Sequence, residues 1–236
     1  MKNTNQLVIG IGEVGSAISF ILKSDKHDPF KGIQAPKSNY DVLHICIPFN
    51  PKFAESVKKY QKEFKPKFIV IHSTVPIGTS RKLGATHSPV RGVHPHMVKG
   101  IKTFVKFFGG KNAKEAAGLF GARGIKTQIT PNSETTEALK LWDTTQYGIM
   151  ITLQKEIHDY CKKNKVDFDI IYTLGNSTYN DGYRKLGRPE VARPYLKHMD
   201  GPIGGHCVIP NAHLIDSPSA RELIKKNKGY MKKKTA

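Results

Sequence analysis

The glycine-rich segment GIGEVG at residues 10–15 constrains the fold of this chain more than any other feature. It directly follows the apolar run QLVI at 6–9 and precedes a stretch in which apolar residues recur at helical spacing. A GxGxxG pattern between a strand and a helix is typical of a turn that holds a dinucleotide pyrophosphate. In such a turn Gly10 permits the tight bend, Gly12 lets the backbone approach the phosphates, and Gly15 lets the helix pack on the strand. The sequence therefore predicts a dinucleotide-binding turn.

The choice between NAD and NADP depends on the segment after the first helix. Asp28 stands about 20 positions beyond the glycines, where an acidic residue would accept hydrogen bonds from the ribose hydroxyls of NAD. Residues 27–30, HDPF, form a poor second strand, however, and Lys26 and Lys31 could bind the 2′-phosphate of NADP. NAD is the favoured cofactor, and NADP stays open. The predicted cofactor contacts in this region are Gly10, Gly12, Glu13, Val14, Gly15 and Asp28.

Strand-like and helix-like segments alternate through the first half of the chain. Runs rich in β-formers at 41–48 and 67–72 flank a segment of helical periodicity at 51–64, and a further helix–strand pair is expected within 113–129. This alternation favours parallel strands joined by right-handed crossovers. The sequence predicts an α/β fold, with a Rossmann-type doubly wound parallel sheet in a domain of residues 1–130.

A long helix dominates the second half. Residues 134–163 contain no proline and one glycine, Gly148. Glu134 and Glu137 suit the N-terminus of a helix. The apolar side of this helix, expected to pack, consists of Leu139, Trp142, Ile149, Leu153, Ile157 and Tyr160. The expected divisions are a mainly helical central domain at 131–218, with a turn at 179–184, and a basic C-terminal tail at 219–236.

The formal net charge of +19 favours an anionic partner. The charge is dispersed and lacks the interleaved aromatic residues that bind single-stranded nucleic acid. An anionic small molecule is therefore the favoured partner, and nucleic acid is a less favoured alternative. No run reaches the roughly 20 apolar residues that cross a bilayer, no signal peptide is visible, and three cysteines are too few for a disulfide framework. We expect a cytoplasmic protein that binds no membrane.

A second glycine-rich loop, GPIGGHCVIP at 201–210, contains Cys207. Glycines let the backbone pack around a ligand and present a thiol at a turn. Cys207 could act as a nucleophile if a neighbouring cation lowers its pKa, or it could be a small buried side chain. The residues alone leave both alternatives open.

Four segments together carry a resemblance to a known family. They are the glycine turn at 10–15, STVPIGT at 73–79, TEALKL at 136–141, and GGHC at 204–207 followed by Pro210. In this order they resemble the UDP-glucose/GDP-mannose (nucleotide-sugar) dehydrogenases, over about residues 6 to 215. The resemblance implies an NAD-dependent enzyme that oxidises a primary alcohol of an anionic, sugar-nucleotide-like substrate to the carboxylate. It also implies a homodimer formed through the central helix.

The resemblance also assigns roles to residues. Cys207 would form the thiohemiacetal and thioester, Lys140 would stabilise the developing oxyanion, and Pro48 and Thr74 would line the cofactor. The candidate substrate contacts are Arg193, Gly204, Gly205 and His206. Arg193, like Arg184, could clamp a phosphate, although simple solvation of these arginines is the equal alternative.

The chain departs from the family pattern at several positions. Asn211 stands where the family has an acid, Thr144 where it has an asparagine, and Val90 where it has a glutamate. The sequence also lacks the family's third, nucleotide-sugar-binding domain. Hydrolysis of a thioester would then need another base, and the candidates are Asp143, His94, His96 and His206.

Two other functions stay open. One is a two-electron alcohol or hydroxy-acid dehydrogenase that keeps Lys140 and uses Cys207 structurally. The other is a non-catalytic binding protein with a Rossmann fold. The histidines after the sheet are expected to bind anions at a surface or cleft rather than a metal, and these are His72, His87, His94 and His96.

Overall fold

The structure, a computed structural model, describes residues 4–92 and 95–233. The chain divides into two compact units, Met1–Leu141 and Trp142–Ala236. The border falls within the long helix, whereas the sequence analysis placed a domain boundary before it, at residue 130. The two units are described separately below.

The first unit is built on a seven-stranded sheet with the order β2-β1-β3-β4-β5-β6-β7. All neighbouring strands are parallel except β5 and β6. The α/β fold with a doubly wound, mostly parallel sheet is thus confirmed. The strands are β1 Gln6–Ile9, β2 Asp25–His27, β3 Val42–Ile45, β4 Phe68–Ile71, β5 Thr86–His87, β6 Lys106–Gly109 and β7 Thr127–Thr130.

Helices cover both faces of this sheet. Alternate side chains of each strand point to opposite faces, so Val8 packs with α1, α4 and α5 while Leu7 and Ile9 pack with α2. Helices α1, α2 and α5 lie where helical periodicity predicts them, whereas α3 and α4 were not predicted. The helices are α1 Glu13–Leu22, α2 Phe53–Phe64, α3 Thr79–Lys82, α4 Met97–Thr103 and α5 Ala113–Gly121.

Residues 27–30 form a poor strand, as expected, and contribute only His27 to β2. Residues 25–27 form a short edge strand in parallel register with β1. A strand of this length suffices because it pairs on one side only, and His27 anchors it against the rings of Tyr60 and Phe64. Pro29 then begins a 3-10 turn, Pro29–Lys31, and ends the strand.

The second unit is helical. Helix α6 begins in the first unit and is 32 residues long, which confirms the predicted long central helix. Within the second unit Gly148 is required for packing, because a Cβ there would lie 2.6 Å from side-chain atoms of both Leu223 and Val208. The elements are α6 Ser133–Asn164, a π-helix Asp169–Leu174, α7 Gly175–Lys185, a 3-10 turn Pro189–Val191, α8 Val208–Ala212 and α9 Pro218–Lys233.

Two segments of this unit differ from the sequence analysis. Residues 179–184, expected to be a turn, lie inside α7, because Asn180 is buried and bonded to the Arg193 backbone. The segment treated as a basic tail forms most of α9, because Ala220 and Leu223 are buried in the core of the unit. A buried hydrogen-bonding side chain decides the first case, and hydrophobic burial decides the second.

Half of the predicted packing face of α6 is exposed. Trp142, Leu153 and Tyr160 are 45%, 53% and 63% exposed, whereas Leu139, Ile149 and Ile157 are half-buried. Among the described residues, no helix combines the length and apolarity that crossing a bilayer requires.

A row of polar side chains crosses the buried face of the sheet in the first unit. His44 Nε2 lies 3.0 Å from Gln6 Oε1, and His44 Nδ1 lies 3.1 Å from His72 Nε2. At the far end Lys106 Nζ donates to the carbonyl oxygen of Ser88 at 3.2 Å. The row links side chains of β1, β3 and β6 through His72, which directly follows β4.

Burial changes the ionisation of this row. It lowers the pKa of His44 to about 3, lowers that of His72, and lowers that of Lys106 to about 7. His87, also buried, has its pKa lowered to about 3 for the same reason. The buried imidazoles are therefore neutral at neutral pH.

We expect the free energy of unfolding to decrease as pH falls below about 6.5. In the unfolded chain the histidines take up protons near pH 6.5, whereas in the folded state His44 and His87 do so only near pH 3. The stabilisation is fully present above the unfolded pKa and is lost toward acid, by ~1.4 kcal/mol per pH unit for each histidine. Denaturant unfolding at several pH values measures this slope.

A matched pair of variants checks the assignment. His87→Asn should make the slope shallower, whereas His213→Asn, at an exposed position, should leave it unchanged. A pH-independent stability in the wild type would contradict the neutral buried histidines.

Candidate functional site

Three loops of the first unit meet at one edge of the sheet. They follow the carboxyl ends of the adjacent parallel strands β1, β3 and β4. They carry the glycine turn, Pro48 and Thr74, respectively. Between β1 and β3 the strand order reverses direction, and open α/β sheets bind ligands at such a switch point.

The glycine turn has the geometry that its sequence predicts. Gly10 has φ +86°, in the left-handed region, and its N–H donates to the His27 carbonyl oxygen at 2.9 Å. A Cβ on Gly15 would lie 1.8 Å from the Gly10 carbonyl oxygen, so no side chain fits there. A Cβ on Gly12 would meet nothing within 4 Å. Gly10 and Gly15 therefore shape the turn, and Gly12 faces open space.

Helix α1 begins at this open space. Gly12 is its N-cap and has no side chain with which to cap the first turn. Glu13 and Val14, half-buried, form the start of the helix. The first N–H groups of a helix have no partner within it and carry a partial positive charge, so this end of α1 suits phosphate oxygens.

Asp28 lies beside the turn, directly after β2. It is buried, and its Oδ2 accepts the N–H of Ile11 at 2.8 Å. Its Oδ1 makes no hydrogen bond to the described residues and can accept one from a ligand. Lys31 Nζ donates to the Ile11 carbonyl oxygen at 2.6 Å, so this ammonium is engaged with the turn itself. The glycine turn and Asp28 thus fit a dinucleotide with an unphosphorylated ribose.

The segment at 73–79 is fastened to the neighbouring strand end. Ser73 Oγ donates to the Ile47 carbonyl oxygen at 2.6 Å. Thr74, half-buried, therefore follows β4 next to the loop that carries the exposed Pro48. This brings Pro48 and Thr74 to the same edge of the sheet as the glycine turn.

A buried carboxylate joins this segment to the start of α6. Glu137 is fully buried, and its two oxygens accept the N–H groups of Gly78 at 2.6 Å and Ser80 at 2.8 Å. Burial raises the pKa of Glu137, and the two N–H donors oppose that rise. The sequence analysis took Glu137 only as part of a helix N-terminus. Its position within the TEALKL motif was the one sequence signal that it could connect α6 to another segment.

Lys140 lies one helical turn after Glu137. Its Nζ donates to the carbonyl oxygen of Val90 at 2.9 Å. Val90, which stands in place of a family glutamate, is buried. The loop that contains Val90 therefore contacts the Lys140 ammonium through a backbone carbonyl oxygen, where the family pattern would offer a carboxylate.

Two histidines expected to bind anions are structural instead. His87 Nδ1 lies 2.8 Å from Thr136 Oγ1, and His72 Nδ1 lies 2.8 Å from the Ser88 carbonyl oxygen. Both rings are buried and neutral, so they cannot attract an anion at a surface. His96 is exposed at the start of α4, and His94 lies outside the described residues.

The cysteine loop belongs to the second unit. Cys207 is exposed and is the N-cap of α8. The residues before it, Gly204, Gly205 and His206, are exposed as well, and Gly205 has φ +78°. The alternative of a buried structural thiol is therefore wrong for Cys207. The glycine at 205 is required by its left-handed backbone.

The second unit brings together two of the positions that depart from the family. Asn211 is buried one turn after Cys207, and its Nδ2 donates to Thr144 Oγ1 at 3.3 Å. Two neutral side chains thus form a hydrogen bond where the family pattern has an acid and an amide. Neither Asn211 nor Thr144 can act as a general base.

Arg193 is held in place by α7. Asn180 bonds both to its N–H, at 2.7 Å, and to its carbonyl oxygen, at 2.8 Å. The guanidinium lies 3.5 Å from the centre of the Tyr179 ring. Stacking of this kind orients the guanidinium and keeps its N–H groups available. Arg184, by contrast, pairs with Asp181 on the exposed side of the helix.

No group of three or more histidine, cysteine or acidic side chains that could hold a metal is present within residues 4–92 and 95–233. The three cysteines are free thiols.

Comparison with known proteins gives matches among solved structures. No protein-family model and no curated protein matches the chain. The UDP-D-ManNAc dehydrogenase of Pyrococcus horikoshii is 16% identical with a TM-score of 0.75, over 94% of this chain and 68% of that chain. The UDP-glucose dehydrogenase of Pyrobaculum islandicum is 12% identical with a TM-score of 0.69. The match covers 96% of this chain and 68% of that enzyme.

The chain has the fold of the UDP-sugar dehydrogenases. The resemblance inferred from the four motifs is thereby confirmed at the level of fold, and the chain spans about two thirds of the length of these two relatives. A 3-hydroxyisobutyrate dehydrogenase of Mycobacterium tuberculosis, 14% identical with a TM-score of 0.65, is covered over 91% of its own length. At these identities the comparisons establish the fold, and the activity has to be argued from the site residues.

We expect Glu137→Gln to lower the free energy of unfolding by about 1–3 kcal/mol, because one of two buried N–H groups loses its acceptor. Denaturant unfolding measures the loss. Glu134→Gln is the matched control, since Glu134 lies on the same helix turn and pairs with Arg81 at the surface. It should leave stability nearly unchanged. Equal effects of the two variants would contradict the role of Glu137 as a buried connection.

Proposed function

We propose that this protein is an NAD-dependent dehydrogenase that oxidises a primary alcohol of an anionic substrate, of the sugar-nucleotide or sugar-phosphate kind. The observation that carries the proposal is the open space at Gly12, at the strand switch point, with Asp28 beside it. Lys140, fastened to the same unit, supplies a cation for the chemistry. The dehydrogenase fold supports the oxidoreductase class.

NAD fits the residues of the turn better than NADP. The N–H groups at the start of α1 would hold the pyrophosphate, and Asp28 Oδ1 would accept a ribose hydroxyl. The buried carboxylate of Asp28 would repel a 2′-phosphate, and the ammonium of Lys31 is already bonded to the Ile11 carbonyl oxygen. Pro48 and Thr74 would line the nicotinamide end. When bound, NAD accepts the hydride that leaves the substrate carbon.

Lys140 and Cys207 would carry the chemistry of the substrate. The Lys140 ammonium would stabilise the alkoxide oxygen as the alcohol loses its proton. The Cys207 thiolate would then attack the aldehyde carbon, forming a C–S bond while the carbonyl oxygen takes a proton. Loss of a second hydride to a second molecule of NAD, and of the hydroxyl proton of the adduct to solvent, would give a thioester. Attack by water would then break the C–S bond, release the carboxylate and return the thiolate. His206, next to Cys207 and exposed, is the proposed base for water.

A second candidate is a two-electron hydroxy-acid or alcohol dehydrogenase. The contact between Asn211 and Thr144 favours it, because neither side chain can activate water for hydrolysis of a thioester. The length match with the 3-hydroxyisobutyrate dehydrogenase also supports it. In this candidate Lys140 keeps its role and Cys207 takes no part.

We further propose a homodimer formed along α6. The exposed apolar stripe of Trp142, Leu153 and Tyr160 would lose its contact with water when two copies pack together. The free thiols fit the reducing cytoplasm as the place of action.

We expect Gly12→Val to weaken NADH binding at least tenfold without a loss of stability. The added side chain occupies the open space proposed for phosphate, and its Cβ meets no protein atom within 4 Å. Gly15→Ala should instead unfold the first unit, because its methyl group would overlap the Gly10 carbonyl oxygen. NADH fluorescence titration and thermal melting measure the two effects, and Gly118→Ala on α5, also facing open space, is the control. Undiminished binding by Gly12→Val would contradict the site.

The reaction itself is tested by counting NADH per molecule of substrate. A panel of UDP-sugars, GDP-sugars, sugar phosphates and small hydroxy acids is offered with NAD. Two NADH per substrate, reduced to one or none by Cys207→Ser, would support the covalent path. One NADH, unchanged by Cys207→Ser but lost with Lys140→Met, would support the second candidate. Absence of NADH binding would exclude both.

A further inference from the structure

A basic surface cavity lies at the C-terminal end of α1, away from the glycine turn. Its volume is about 500 Å³. The ten residues of α1 separate it from the glycine turn by roughly 15 Å, at 1.5 Å per residue. The residues of interest in its lining are Phe20, Lys23, Ser24, Lys26, Lys102 and Arg123.

Four cations converge on this cavity from four parts of the first unit. Lys23 follows α1, Lys26 lies on the edge strand β2, Lys102 lies on α4, and Arg123 follows α5. No carboxylate lines the cavity, and none of the four forms an ion pair with a described residue. Like charges that line one cavity repel one another, and an anion bound between them would offset that repulsion.

The geometry leaves the hydrogen-bond donors of these groups available. Arg123 Nη2 donates to the Leu22 carbonyl oxygen at 3.1 Å, which fixes the guanidinium at the end of α1. A guanidinium has five N–H donors, so further ones can meet an anion.

A buried hydroxyl gives an independent sign of a ligand. Ser24 Oγ is shielded from solvent and has no hydrogen-bond partner among the described residues. The neighbouring Ser19 hydroxyl donates to the Ser24 carbonyl oxygen at 3.1 Å and is therefore engaged. Buried polar atoms without a partner are rare in folded proteins. Ser24 also lines the cavity, so rotation of its side chain toward an oxyanion there would give the hydroxyl a partner.

An aromatic ring completes the cavity. Phe20 is 70% exposed although it belongs to a well-packed helix. Aromatic rings beside cations bind nucleotides, because the base stacks on the ring while the phosphates meet the cations. A flat ring is not needed for inorganic phosphate, so Phe20 indicates a base.

We propose that this cavity is a second nucleotide site, in which Lys23, Lys26, Lys102 and Arg123 bind phosphates and Phe20 stacks on the base. The nucleotide belongs either to a free molecule or to a single strand of nucleic acid. The net charge of +19 increases encounter with either polyanion. The site is distinct from the glycine turn and does not depend on the dehydrogenase activity.

Fluorescence anisotropy of the full chain with 5′-labelled oligouridylate, and competition by ADP, tests the proposal. For single strands each phosphate contact contributes about 0.7 to the slope of log affinity against log salt. Lys102→Ala with Arg123→Ala should therefore reduce the slope by about 1.4 and the affinity about 25-fold at ~0.1 M salt. Lys102→Ala alone, which removes no hydrogen bond of the fold, should lower the affinity about fivefold.

Matched controls separate the site from general charge. Phe20→Ala should weaken binding, whereas Phe30→Ala, fully exposed at the 3-10 turn, should not. Lys58→Ala on α2 should leave affinity and slope unchanged. Binding of ADP but not of the oligonucleotide, with the same dependence on Phe20 and Lys102, would identify a free nucleotide.

Two results would overturn the proposal. They are wild-type affinity of the double variant, and absence of binding by both ligands at low salt. The first would place any binding elsewhere on the protein, and the second would leave the cavity without a nucleotide.

Discussion

Helix α1 lies so close to the turn after β1 that a methyl group at position 15 would stand 1.8 Å from the Gly10 carbonyl oxygen. This approach sets the direction of α1 and places its uncapped N-terminus at the point where the strand order reverses. Helix α1 begins at Gly12, and its first turn borders the open space beside this glycine. Asp28 accepts the N–H of Ile11 and Lys31 donates to its carbonyl oxygen, and these two bonds hold the turn in this shape.

A second connection in the first unit is the Glu137 carboxylate. It ties the helix turn that carries Lys140 to the backbone at Gly78 and Ser80. The ammonium therefore has a fixed place relative to the loop after β4, where Thr74 lies. A surface ion pair could not fix it as firmly, because exposed pairs contribute little.

The basic residues of the chain stand in two different environments in the first unit. Inside the sheet Lys106 is surrounded by carbonyl oxygens and aromatic rings, and its pKa is lowered to about 7 by burial. At the end of α1 four cations instead face a cavity that, among the described residues, no carboxylate lines. Burial disfavours the charge in the first environment, whereas the second provides a surface for phosphates.

The sequence by itself determined the elements whose signal is local. The glycine turn, the buried strands β1, β3 and β4, and the uninterrupted helix α6 follow from glycine spacing, apolar runs and the lack of proline, and the family motifs named Lys140 and Cys207. Tertiary structure alone decided what depends on distant partners. Burial made β2 a strand, placed Tyr179 to Arg184 in a helix and turned a basic tail into α9. Only packing across the sheet could show that His72 and His87 are buried and neutral, since a histidine's exposure is set by residues far away in the chain.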